Sequence, residues 1–124
     1  MSGQTEPKKT CLAEILDGAL SALFPGAVFP MVYTGGLLKY VVWDYNTLPA
    51  VWAEQAPQAA RYLVQVHFYL PHKENPQEAI LSISRALFDA GLTWPSLTDA
   101  ADAEGQHWVF ECEYADGGGF YGYA

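Results

Sequence analysis

Arg61-Tyr-Leu-Val-Gln-Val-His-Phe-Tyr-Leu70, followed by Pro71-His-Lys-Glu-Asn-Pro76 and by a helical run that closes at Gly91, decides the fold. Tyr62, Val64, Val66, Phe68 and Leu70 alternate with Arg61, Leu63, Gln65, His67 and Tyr69. A period of two is expected of a strand with one dry sheet face and one mixed face. Asn75 can cap the next helix, Pro76 suits its first position because the missing N–H would be unpaired there, and Glu78 completes an Asn-x-x-Glu capping box. Ile80, Ile83 and Leu87, with Leu81 and Phe88 half a turn aside, turn toward a core, and Gly91 supplies a left-handed cap. Strand, punctuated turn and amphipathic helix thus form the unit against which the rest of the chain packs.

On the N-terminal side, Leu12, Ile15, Leu16, Ala19, Leu20, Leu23 and Phe24 recur at helical spacing after Thr10, a candidate N-cap, and Pro25-Gly26 closes that helix. Val28 to Tyr33 reads as a short strand confined to an edge by Pro30, which cannot donate to a ladder. Thr34-Gly35-Gly36 reads as a tight turn into a second strand, Leu37 to Tyr45, so the two are expected to form a hairpin. Asn46 to Pro57, with two prolines and Trp52, is expected to be a crossing loop. On the C-terminal side a short strand is expected near Leu97–Ala100, a loop at Asp102–Gly105, and a final strand over His107–Tyr114 with Trp108, Phe110, Cys112 and Tyr114 on its dry face. The fold class expected is α+β: a mostly antiparallel sheet of four to five strands with two helices on one face. Residues 1–9 read as a flexible leader, 10–115 as a single domain and 116–124 as a flexible glycine- and aromatic-rich tail.

The 124 residues suit one domain, and with 51% apolar and 16% charged residues the chain can bury a core. No apolar run approaches the ~20 residues of a membrane span. Glu14 and Asp17 do not suit a signal-peptide core, so no export signal is expected. Cys11 and Cys112 are too far apart and too few for a disulfide framework or zinc knuckle. Net charge is −8; residues 1–85 hold seven acids and all six bases, while 86–124 hold seven acids and no base. Binding to nucleic-acid phosphate or to an anionic membrane is therefore disfavoured.

Chemistry is hard to place. His67 and His107, with Glu111 and Glu113, could form a His/carboxylate site only if their strands were neighbours. Glu111 and Glu113 share a strand face roughly 7 Å apart, a spacing that a solvated edge explains. No Gly-x-Ser-x-Gly elbow is present, and Gly117-Gly-Gly119 lacks the strand–helix context of a phosphate loop. Catalytic, cofactor-binding and metal residues are accordingly expected to be none, and the chain is expected not to be an enzyme. Trp43, Tyr45, Trp52, Tyr69, Trp94, Phe120, Tyr121 and Tyr123 exceed what one core can absorb, which points to an interface.

The order helix, hairpin ending in Tyr40-Val-Val-Trp-Asp-Tyr45, long loop, central strand Tyr62 to Tyr69, helix, polar loop and final strand Trp108-Val-Phe-Glu-Cys-Glu-Tyr114 resembles the tail-terminator and tail-completion proteins of long-tailed bacteriophages and prophages. The resemblance spans residues 11–115 and rests on element order and residue type; the tail after Asp116 departs from it. It implies an α+β subunit of a ring, usually of six copies, that stops tail-tube growth and meets tail-tube and head-connector proteins. Assembly in the host cytoplasm followed by incorporation into the virion tail goes with it, and no cofactor, sequence-specific nucleic acid or membrane. In such a ring Trp43, Tyr45 and Trp52 are expected at the subunit interface, and Asp102, Glu104 and Asp116 on a lumen or solvent face. A non-phage protein-interaction module of the same architecture and a small metal-binding enzyme remain as alternatives.

Overall fold

The computed structural model describes residues 11–48 and 61–115. They form α1 (Leu12–Ser21), β1 (Val28–Pro30), β2 (Tyr40–Leu48), β3 (Arg61–Leu70), α2 (Gln77–Asp89), β4 (Ser96–Asp99) and β5 (Gln106–Ala115). The strands make one five-stranded sheet in the order β1-β2-β3-β5-β4. β3 lies at its centre, antiparallel to β5 along its whole length and to β2 from Arg61 to Tyr69. The fold is α+β with both helices against one sheet face, as the alternation predicts.

That face is dry for a local reason. Val64, Val66, Phe68 and Leu70 point to it from β3, Phe110 and Cys112 from β5, and Val41 and Trp43 from β2. Leu12, Leu16 and Leu20 present one stripe of α1 to the same cluster, and Ile83 and Leu87 present one stripe of α2. Each fully buried Leu, Ile or Phe contributes about 1.5–3 kcal/mol by leaving water.

The C-terminal end of α2 follows the sequence signals and the N-terminal end does so only in part: the helix begins at Gln77 with Pro76 at the cap position, and the expected Glu78 capping box is not formed. The Asn75 Oδ1 accepts a hydrogen bond from the Gln77 N–H at 3.0 Å. At the other end Gly91 has φ 105°, its N–H donates to the Phe88 carbonyl at 3.1 Å, and the Leu92 N–H donates to the Leu87 carbonyl at 3.1 Å. This is a Schellman closure, and both Leu87 and Leu92 are buried, which supplies its usual apolar contact.

Two expectations are corrected. β1 and β2 do not form a hairpin: they run parallel, with Val28 opposite Val41 and Pro30 opposite Trp43. The strand expected over Val28–Tyr33 stops at Pro30, and the one expected over Leu37–Tyr45 lies at Tyr40–Leu48. Met31 adopts φ 70°, and the Val32 N–H donates to the Pro30 carbonyl at 2.7 Å. Together these describe a tight three-residue turn that diverts the chain out of the ladder. A parallel crossover ordinarily needs a dozen residues or more. Here β1 is only three residues, so the return path is short and residues 31–39 suffice.

Candidate functional site

The sheet face opposite the helices carries the polar and aromatic side chains of the central strands. In register across it run Tyr40–Tyr69–His107, then Val42–His67–Val109–Thr98, then Asp44–Gln65–Glu111–Ser96. The first row becomes a ring stack because cross-strand neighbours sit close enough for aromatic contact. Tyr40 and Tyr69 stack with centroids 4.6 Å apart, and Tyr69 and His107 with centroids 4.2 Å apart. Tyr33 extends the row toward the β1 edge, 4.7 Å from Tyr40 and 4.1 Å from Phe29. The Tyr33 ring lies over Gly35, where a Cβ would collide with the phenol, and its oxygen accepts the Leu37 N–H at 2.9 Å. That contact explains the glycine and sets the course of the chain into β2.

Beside this row is a groove of about 290 Å³, walled by Tyr40, Tyr69 and His107, by Leu37 and Leu38, and by the turn Asp102–Gly105. The turn is held from several directions. The Asp102 Oδ1 accepts the Glu104 N–H at 2.8 Å, the Asp102 N–H donates to the Gly105 carbonyl at 3.1 Å, and the His72 Nε2 donates to the Asp102 carbonyl at 2.8 Å. Burial raises the Tyr40 phenol, with the charges of Tyr33 and Glu104 adding to it; burial likewise raises Tyr69, with Tyr40 and Asp102 adding. Both phenols therefore remain neutral at physiological pH, and both feel the carboxylates of the turn.

His67 and His107 are brought together on this face, Nδ1 to Nε2 at 2.8 Å, with one ring donating and the other accepting. Burial lowers His67 against the opposing pull of Asp44; burial and then the neighbouring His67 lower His107 against Asp102. The two glutamates that could complete a metal site are engaged elsewhere: Glu111 accepts from the Gln65 amide at 2.7 Å, and Glu113 is paired with Arg61. Among the described residues no three His, Cys, Asp or Glu side chains gather as a metal site.

The residues expected at a subunit interface fare differently. Trp43 is 6% exposed and lies in the core, and Tyr45 packs against that core with its ring 6.1 Å from the Trp43 ring. Trp43 therefore offers no free surface, while Tyr45 is half-buried. Both faces of β2 carry large apolar side chains, so alternation alone does not say which face is dry. Trp52 and Asp116 lie outside the described residues, while Asp102 and Glu104 are exposed. The exposed apolar surface is elsewhere, and it includes Leu81 and Phe88, which were expected to turn toward the core and are instead 53% and 51% exposed. Met31 and Val32, both 68% exposed, leave the β1 edge. On the β4 side, Leu81 and Phe88 share the outer face of α2, Trp94 meets Phe88 edge-on at 5.7 Å, and Leu97 is exposed on β4.

No helix among the described residues is long and apolar enough to cross a membrane. No protein-family model matches the chain, and no curated protein matches it in sequence.

Proposed function

We propose that the protein is a structural subunit that associates head to tail into a closed ring, in a phage or prophage tail, as the terminator or completion protein that ends tube growth and joins tail to head. The observation that carries the ring is the pair of unlike apolar patches beside the two different edges of one sheet: Met31 and Val32 at β1, and Phe88, Trp94 and Leu97 at β4. A patch that meets its own copy gives a two-fold dimer, whereas one patch meeting a different patch propagates and closes into a ring when the rotation allows. Natural edge strands are seldom left beside bare apolar surface unless a partner covers them.

The tail assignment is supported by the resemblance in element order, from which the chain departs in that β1 and β2 are a parallel pair and not a hairpin. Exposed Asp102 and Glu104 suit a surface past which DNA slides, since like charge keeps phosphate away.

Deleting the gene from the phage or prophage that carries it tests the assignment. Overlong or headless tails are expected. Normal tail length and head joining would contradict it; ring formation by the purified chain alongside normal tails would place the protein among non-phage interaction modules.

A further inference from the structure

The outer face of α2 carries an apolar stripe where a solvated helix face is usually polar. Leu81, Arg85 and Phe88 stand at i, i+4 and i+7, so they line up on one side of the helix, away from the Ile83 and Leu87 stripe that enters the core. Trp94 closes the C-terminal end of the stripe, its ring edge-on to Phe88 at 5.7 Å and 5.9 Å from the Arg85 guanidinium. Leu81, Phe88 and Trp94 are all about half exposed. The described end of the chain lies beside them. The Thr93 N–H donates to the Glu113 carbonyl at 3.0 Å and the Glu113 N–H donates to the Thr93 hydroxyl at 2.9 Å, which ties the residue before Trp94 to β5 just ahead of Ala115. Beyond Ala115 the sequence continues Asp116-Gly-Gly-Gly-Phe-Tyr-Gly-Tyr-Ala124, a glycine spacer followed by three aromatic rings and no base.

We propose that residues 120–123 dock on this stripe of their own subunit, with Phe120 and Tyr121 at the Phe88 and Trp94 end and Tyr123 toward Leu81. The lengths agree. Leu81 and Phe88 are about 10 Å apart along the axis at 1.5 Å per residue, and three extended residue steps from Phe120 to Tyr123 also span about 10 Å. Residues 116–119 reach at most about 14 Å, enough to fold back from Ala115 to Trp94. The chemistry agrees as well. Tyrosine rings bury apolar area against Leu81 and Phe88 while their hydroxyls stay in water. The Arg85 guanidinium, stacked on Trp94, can take a second ring on its other face. A short tether holds the segment at roughly millimolar effective concentration, so a patch too small for a free peptide suffices. The other exposed apolar pair, Met31 and Val32, leaves β1, which is three strands away from β5 in the sheet. The contact lies within one subunit and does not rest on the ring; in the ring, the docked segment and Leu97 together make the surface that the neighbour meets.

The test is paramagnetic broadening in NMR spectra of the full-length Val32→Asp chain, which is monomeric whether or not the unaltered chain forms a ring, so the result reads the docking alone. Cys11→Ser removes the exposed thiol and Ala124→Cys receives a nitroxide; Cys112 is buried, and burial pushes its thiol up to about 12, so it stays unlabelled. The nitroxide is expected to at least halve the amide peaks of Leu81, Phe88 and Trp94 relative to its reduced form, and to leave Asp44 and His67 on the opposite sheet face unchanged. Phe120→Ser, Tyr121→Ser and Tyr123→Ser combined should restore those peaks, and Phe88→Ser should restore Leu81 and Trp94. An isotope-labelled chain without nitroxide, mixed with a nitroxide-bearing chain that is not isotope-labelled, should show no broadening at the stripe. Four outcomes overturn the proposal: broadening spread evenly over the surface, broadening centred on the β1 edge, broadening at the stripe that survives the serine substitutions, or broadening at the stripe in the mixed sample, which would mean that the segment docks on another copy.

Discussion

His67 and His107 share a hydrogen bond at 2.8 Å between neighbouring strands β3 and β5, and because one imidazole must accept, the pair cannot be doubly protonated with this contact intact. Burial lowers both groups below the ordinary histidine value of 6.5. The unfolded chain therefore binds protons more readily than the folded one. Stability from this pair is fully present above the unfolded value and is lost as pH falls through the folded values. Thermal unfolding should show a lower midpoint at pH 5 than at pH 7.5, and His107→Gln should flatten that difference. A midpoint equal at both pH values would show that the pair does not couple to folding.

Leu87→Ala should cost about 2–5 kcal/mol in urea unfolding, since Leu87 is fully buried and also forms part of the helix closure at Gly91. Leu38→Ala, at a position 75% exposed, should stay within about 0.5 kcal/mol. Similar costs at the two positions would contradict the placement of the core.

Met31 occupies φ 70°, a conformation that costs a non-glycine residue about 1–3 kcal/mol. Met31→Gly should raise the urea midpoint of the monomer, and Met31→Val, branched at Cβ, should lower it. At the same time either change removes apolar surface from the β1 patch, so Met31→Gly should weaken self-association while stabilising the subunit. Lower stability of the glycine variant would refute the strained turn.

The central part of the fold was legible because its signals are redundant. β3 alternates cleanly from Tyr62 to Leu70, the end of α2 at Gly91 is fixed by a residue tolerant of positive φ, and Trp108 to Tyr114 repeats the same period. The β1–β2 pairing was not legible. Thr34-Gly35-Gly36 has the composition of a hairpin turn, yet the reversal is governed earlier, by Met31 in a conformation that methionine rarely adopts, and by the Tyr33 ring lying over Gly35. Nor could composition reveal the groove beside the aromatic row, because Tyr40, Tyr69 and the Asp102–Gly105 turn meet only through strand register and loop return. Trp43 misled because an aromatic near an edge serves core and interface equally well.

The head-to-tail contact is tested most directly by mixing two variants, each with one patch spoiled. Val32→Asp removes the β1 patch and Leu97→Asp the β4 patch, both at exposed positions where folding is spared. Measured by light scattering over a wide concentration range, the unaltered chain should assemble, each variant alone should remain monomeric, and the equimolar mixture should stop at a dimer held by the one intact pair of patches. Assembly by either variant alone, a mixture that stays monomeric, or an unaltered chain that is monomeric throughout would contradict the head-to-tail ring.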